Sequence, residues 1–445
     1  KDGGLVGGRC RLAFSPRGCL PDRRGPRSGG CDALTNFGSI IFETQPTATT
    51  HVYAGIDNHG SIDVRSGQIR VEGGGSTVDV INVEFGASVR FEPSSSGGFR
   101  FLDGATFSGD GDVTIWNTGH QVSGHVDWGV HGATVIGNAS TLVSTAPTVM
   151  SGSLTISSGE VVLDHASRVY GTLNLNGGSL TGAGDTWMHG TFNWTAGTLE
   201  GSGRMRVQRG AEWNLAGNVT KYLDGTRMVW NNGQATWSDG NIRIVGGAGI
   251  QNLRGGKFNA DASGHMIFGV GTFTNKGFFE VAAGTGSSVS VADGITFSNL
   301  TQPGFGGVKI VTGTLHLNGE VPQFDTSKSS LTYGLWSLNG GTRISSPSSL
   351  QLTWNNAAVT LQGSAVFDAI KSLNRNHGQM TLDRSATPAF FSESGPATFT
   401  NSGLLVKMGS GDTTVRPALR NTGSIRITGP TDTVNPQTVG RLIVE

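Results

Sequence analysis

Charge and cysteine are both scarce in this chain. Of its 445 residues only 14% are charged, with Lys+Arg and Asp+Glu equal at 32 each. The three cysteines, Cys10, Cys19 and Cys31, all lie near the start, so disulfides do not hold the body of the chain together. An odd count allows one internal bridge plus a free or intermolecular thiol, and the pairing stays open. The first 31 residues carry seven basic side chains against two acidic ones, which leaves 25 basic and 30 acidic residues for the remainder. A mildly acidic body lacks the basic track that nucleic-acid binding needs. No apolar run approaches the roughly 18 residues of a membrane-spanning helix. Nor is there an initiator Met or an apolar signal segment before Lys1, and residues 441–445 read as the middle of a strand. These ends suggest a mature product or a fragment.

Glycine, by contrast, is abundant at 71 residues. It interrupts nearly every window long enough for a helix. A chain so rich in glycine loses much backbone entropy on folding, and disorder would follow if the apolar residues were scattered. They are not scattered. Pairs of apolar residues separated by one other residue recur as Leu154/Ile156, Leu173/Leu175, Phe192/Trp194, Trp213/Leu215, Ala235/Trp237, Phe258/Ala260 and Phe279/Val281. Successive pairs start 19, 19, 21, 22, 23 and 21 residues apart. Such alternation places both side chains on one face of a strand.

Two further columns share this period. Seven residues after the first apolar position stand Val161, Leu180, Leu199 and Ile242, with Val219 and Met266 fitting after a slip of one. Fifteen residues after it stand Val169, Met188, Val207, Met228, Ile250 and Phe273. Three apolar columns on turns of about 21 residues predict a three-sided coil of short strands with Gly, Asn or Asp at the corners. A second signature, Asn-x-Gly before alternating apolar residues, occurs at Asn36 (before Ile40 and Phe42) and Asn58 (before Ile62 and Val64). It recurs at Asn231, Asn275, Asn376 and Asn421, with Asn401 a looser case. Stacked at equivalent corners, these asparagines would form a ladder of side-chain amides.

The expected fold is therefore all-β, a right-handed parallel β-helix of roughly 20 turns. Residues 1–33 read as a basic, cysteine-containing segment and 34–445 as a continuous solenoid. Irregular insertions fall near 92–100, 300–312 and 322–348. The Asn-x-Gly repeats, and stretches such as Gly171 to Leu180, resemble the solenoid regions of filamentous-haemagglutinin-like adhesins and autotransporter passengers. That resemblance implies secretion and display at the cell surface, and it implies no particular ligand.

Parallel β-helices also include pectin-degrading enzymes, whose Asp-Asp and Gly-His-Gly motifs are missing here. Asp110 and Asp112 would share a strand face, but the surrounding Gly109 and Gly111 read equally well as a corner. Acid/base cleavage of a sugar bond needs a pair of carboxylates flanking that bond. His120, His125, Asp127 and His131 form the densest histidine cluster, and His125 and Asp127 would point the same way on a strand, as a metal site requires. Their spacing matches no strong zinc motif, and solvated surface histidines explain it as well. Gly73 to Gly75 precede neither a helix nor a lysine, so they are a turn and no phosphate loop. No nucleophile elbow is present. Trp194, Trp213 and Trp237 fall in inward columns and Trp230 two residues beyond one, so core packing explains them better than a sugar platform. Asn138, Asn193, Asn218 and Asn299 begin glycosylation sequons, with Asn193 and Asn218 expected to project outward.

The sequence thus assigns no catalytic, cofactor-binding or metal-binding residue. It points to an extracellular or cell-surface protein with a structural or adhesive role, one form of which is a filament subunit that associates through its solenoid ends. The alternatives are a carbohydrate-active β-helix enzyme, a lyase or hydrolase, and a module that binds surface glycans.

Overall fold

A computed structural model describes residues 9–11, 33–93, 98–116, 120–123, 126–130, 133–137, 140–301, 306–386, 388–428 and 441–445. The chain is a parallel β-solenoid of about 17 turns with rungs of roughly 22 residues. Among the described residues the helical content is two single 3-10 turns, Asp368–Ile370 and Ala389–Phe391. Two compact units can be distinguished. The first comprises residues 1–213 with 224–227, and the second residues 214–223 with 228–445.

In the first unit the three columns are real. Ser153–Ile156 pairs in parallel with Thr172–Thr181, setting Leu154 against Leu173 and Ile156 against Leu175. The next turn adds Phe192 and Trp194 in the same register. Val161 pairs with Leu180 on the second side, and Val169 with Met188 on the third. All of these side chains are buried. Phe192, Trp194 and Trp213 stack inside with interplanar angles of 12–20°. Stacked aromatic cores of this kind combine large apolar burial with favourable ring geometry. Ahead of the regular turns, Arg9–Arg11 pairs antiparallel with Ser39–Glu43, opposing Cys10 to Phe42. Cys19 and Cys31 lie outside the described residues.

The second unit keeps the pattern with local slips. Phe258 pairs with Phe279, and Ile250 with Phe273. Three positions of the expected columns are corrected. Val219 and Met266 are 49% and 39% exposed, while Lys221 and Ile267 occupy the interior. Met228 is half-buried and its neighbour Val229 faces inward. Because side chains alternate along a strand, a corner longer or shorter by one residue reverses which of them face inward. The insertion at 322–348 contains an antiparallel pair, Phe324–Asp325 with Ser330–Leu331. From there the third side continues as very short parallel strands, Ser330–Leu331 against Trp354–Asn355 and that against Arg375–Asn376. The insertion at 300–312 holds Gly307–Thr312 as a regular strand, and Phe99–Leu102 is one at the end of the insertion at 92–100.

The expected amide ladders are present, and there are several. In the second unit Asn231 Nδ2 donates to Asn252 Oδ1 at 2.9 Å, Asn252 to Asn275 at 2.8 Å, and Asn275 to Asn299 at 3.1 Å. A further run links Asn355, Asn376, Asn401 and Asn421 at 2.7–2.8 Å. In the first unit Asn36 donates to Asn58 and Asn58 to the Thr77 hydroxyl. The corners are not equivalent. Asn36 ends a strand of the second side, whereas Asn231 ends one of the third. Each amide replaces the water that a sharp bend would otherwise need.

Lys221 is fully buried where the repeat expects an apolar residue. Its Nζ donates to the carbonyls of Gly217 at 2.9 Å, Asp239 at 3.0 Å and Val219 at 3.4 Å. Burial nevertheless pulls its pKa from 10.5 down to about 8. A lysine with a lowered folded-state pKa leaves the unfolded chain holding more protons between those two values, so stability rises with pH across that window. The rise is at most about 3 kcal/mol. Lys407 is also buried and lowered by burial, and adds in the same direction. We therefore expect Lys221→Met to flatten part of the rise seen when urea unfolding is measured at about pH 7 and about pH 10.5. Identical pH dependence in wild type and variant would show that Lys221 stays charged throughout.

Candidate functional surface

With the interior filled, chemistry is left to the outward face, where side chains of adjacent turns lie in register about 4.8 Å apart. Several aromatic and basic residues stack there. In the first unit the guanidinium groups of Arg168 and Arg206 lie 5.8 and 5.5 Å from the Trp187 ring. Arg206 also bonds Asp185 at 2.8 Å. Tyr170 stacks on His189, and Phe37 on His59. These contacts are cross-turn pairs of a parallel sheet and each contributes modestly to stability.

In the second unit a surface recess is lined by Lys328, Ser330, Trp354, Asn356 and His377. It arises where the antiparallel hairpin interrupts the regular third side. Trp354 stands in register with Ser330 on the preceding turn and Arg375 on the following one. The Arg375 guanidinium lies 4.6 Å from the indole centroid, and the His377 ring stacks at 5.2 Å. Ser402 Oγ and His377 Nδ1 are 2.7 Å apart, which fixes the imidazole. Ser330, itself buried, and Trp354 both line the recess. Trp354 remains 36% exposed, and the Lys328 side chain is 78% exposed. Ser329 at the base of the hairpin has φ of 50°, a left-handed conformation costly for a residue with a side chain. Its carbonyl accepts the N–H groups of Thr353 and Trp354 at 2.7 and 3.0 Å, tying the strained turn to the strand that carries the indole.

The residues singled out from sequence are dispersed. His120 is buried with its Nε2 2.9 Å from the Trp116 carbonyl oxygen, and burial lowers its pKa. Asp127 faces outward and accepts from Ser151 Oγ at 2.7 Å. The two therefore do not form one cluster, and His125 and His131 lie outside the described residues. Among the described residues no group of three or more His, Cys, Asp or Glu side chains is placed to hold a metal. Asp110 and Asp112 are both exposed at the corner opened by Gly109, whose φ is 95°. Trp194, Trp213 and Trp237 are buried, and Trp230 faces outward beside Asn231. Asn299 is buried in an amide ladder and cannot carry a glycan in the fold. Asn193 projects outward but donates to Asn174 at 2.8 Å, while Asn218 is exposed. Asn138 lies outside the described residues.

Sequence reasoning missed Trp354. Its two-residue strand carries no alternation to score, and the hairpin before it breaks the period. Among the described residues no helix is long and apolar enough to cross a membrane. No protein-family model, curated protein or solved structure matches this chain at a significant level.

Proposed function

We propose that the chain is an extracellular structural or adhesive solenoid of the cell surface, which associates with further copies of itself by stacking turn on turn. The observation that carries this reading is the strand Ser424–Ile427. It sets Ile425 against Leu405 and Ile427 against Lys407, continuing a column whose earlier members are fully buried. Yet Ile425 and Ile427 are 36% and 51% exposed. Apolar side chains in an inward column gain about 1.5–3 kcal/mol each when a further turn covers them. The style of the repeat, which resembles that of surface-displayed solenoids, supports display outside the cell. Light scattering across a wide concentration range tests the association. Wild type is expected to form species larger than one chain, and Ile425→Lys with Ile427→Lys to remain monomeric. Monomeric wild type at the highest concentration would refute it.

A further inference from the structure

We propose that the recess around Trp354 binds an acidic sugar, a pyranose carrying a carboxylate, within a polysaccharide. The proposal rests on the adhesive part of the reading above and gives it a ligand class. Four features point to this chemistry. Arg375 and His377, on the following turn, lie against the indole, whereas its register partner on the preceding turn is the small Ser330, and the ring lines the recess while 36% exposed. A flat aromatic surface bordered by polar groups suits the C–H face of a pyranose ring, which is apolar, while its rim is not. Asn356 supplies an amide group at that rim.

The charge is equally specific. Lys328 lines the recess and Arg375 lies against the indole, whereas the acidic group bonded to this cluster is Asp325, 3.6 Å from Lys328 Nζ. Asp325 is already engaged by Ser327 Oγ at 2.6 Å and the Lys328 N–H at 3.1 Å, which together hold it in its charged form. A net positive recess with a mostly exposed ammonium favours a carboxylate over a neutral sugar. The strained Ser329 is the fourth feature. Backbone strain at a non-glycine residue is retained where the surroundings over-determine it, and here it fixes the distance between the hairpin and the indole. Among the described residues no carboxylate lines the recess itself, so the inference is binding without cleavage.

Isothermal titration of the purified chain with tetragalacturonate and with cellotetraose tests this. Binding of the acidic oligomer, at least about tenfold tighter than of the neutral one, is expected. Trp354→Ala should lower affinity by about tenfold or more, and Lys328→Gln by about threefold with a weaker salt dependence. Trp354→Phe, which keeps an aromatic face, should retain part of the affinity and guards against a folding defect. Equal affinity for both oligomers, no binding of either, or binding indifferent to Trp354→Ala would overturn the proposal. Each of those outcomes leaves the self-association test untouched.

Discussion

An Asn252→Asp substitution is expected to destabilise the fold by about 4 kcal/mol at neutral pH and by much less in acid. Asn252 is fully buried. Its Oδ1 accepts from Asn231, and its Nδ2 donates to Asn275 Oδ1 at 2.8 Å and to the Phe278 carbonyl at 2.9 Å. A carboxylate keeps the first bond and turns the other two into contacts between acceptors. Burial and those acceptors raise the folded-state pKa of the new aspartate above its unfolded value of about 3.9. The folded chain then holds the proton more tightly, so stability falls as pH rises from that unfolded value toward the raised one. Below the window the protonated carboxyl donates to Asn275 as the amide did, and most of the loss disappears. Asn252→Ala removes all three bonds and should cost about 3 kcal/mol at every pH. Urea unfolding of the three proteins at several pH values decides the matter. A penalty for the aspartate variant that does not change with pH would refute the account.

A comparable loss is expected from Gly171→Ala, for an unrelated reason. A β-carbon there would sit 1.9 Å from the Gly152 carbonyl oxygen and 2.6 Å from its carbon. One turn later, a β-carbon at Gly190 would lie 2.0 Å from the Gly171 oxygen. The glycines at this corner stack on one another, and the obstacle is backbone that is bonded on both sides, so no side chain can swing aside. Forcing a methyl group into such packing costs about 3 kcal/mol or more. Gly210 is the control. Its φ is 85°, and nothing lies within 4 Å of a β-carbon there. Gly210→Ala meets only the left-handed backbone cost of about 1–2 kcal/mol. Thermal unfolding of both variants should rank Gly171→Ala well below Gly210→Ala, and the reverse order would be incompatible with the stacking.

The two glycines look alike in the sequence, and the contrast shows what the repeat conveys. Periodicity located the interior because strand alternation obliges inward residues to be apolar; Leu173, Trp194 and Met188 are buried where the spacing requires. It failed at Val219, Met228 and Met266, where corners change length by a residue and alternation turns that into a change of face. Lys221 was invisible for a related reason. A buried ammonium satisfied by three carbonyls is a property of the corner folded around it, and no spacing rule selects it. The ladders were legible wherever glycine follows two residues later. Asn252, Asn299 and Asn355 lack that mark, although Asn355 Oδ1 accepts the Ala357 N–H at 3.1 Å in the same way. Trp354 was hidden because its strand has only two residues and follows a hairpin that the period does not encode.

The amide ladders also have a sense of direction. In each, the earlier asparagine donates and the later one accepts. The orientation is set locally at the first asparagine of each ladder, where the N–H two residues onward claims the side-chain oxygen, as Gly38 does for Asn36 and Gly233 for Asn231, each at 3.1 Å. With the oxygen held, only the nitrogen is free to reach forward. A column of such groups is a vector: its leading face presents donors and its trailing face acceptors. Two columns can be spliced head to tail, and head to head they repel.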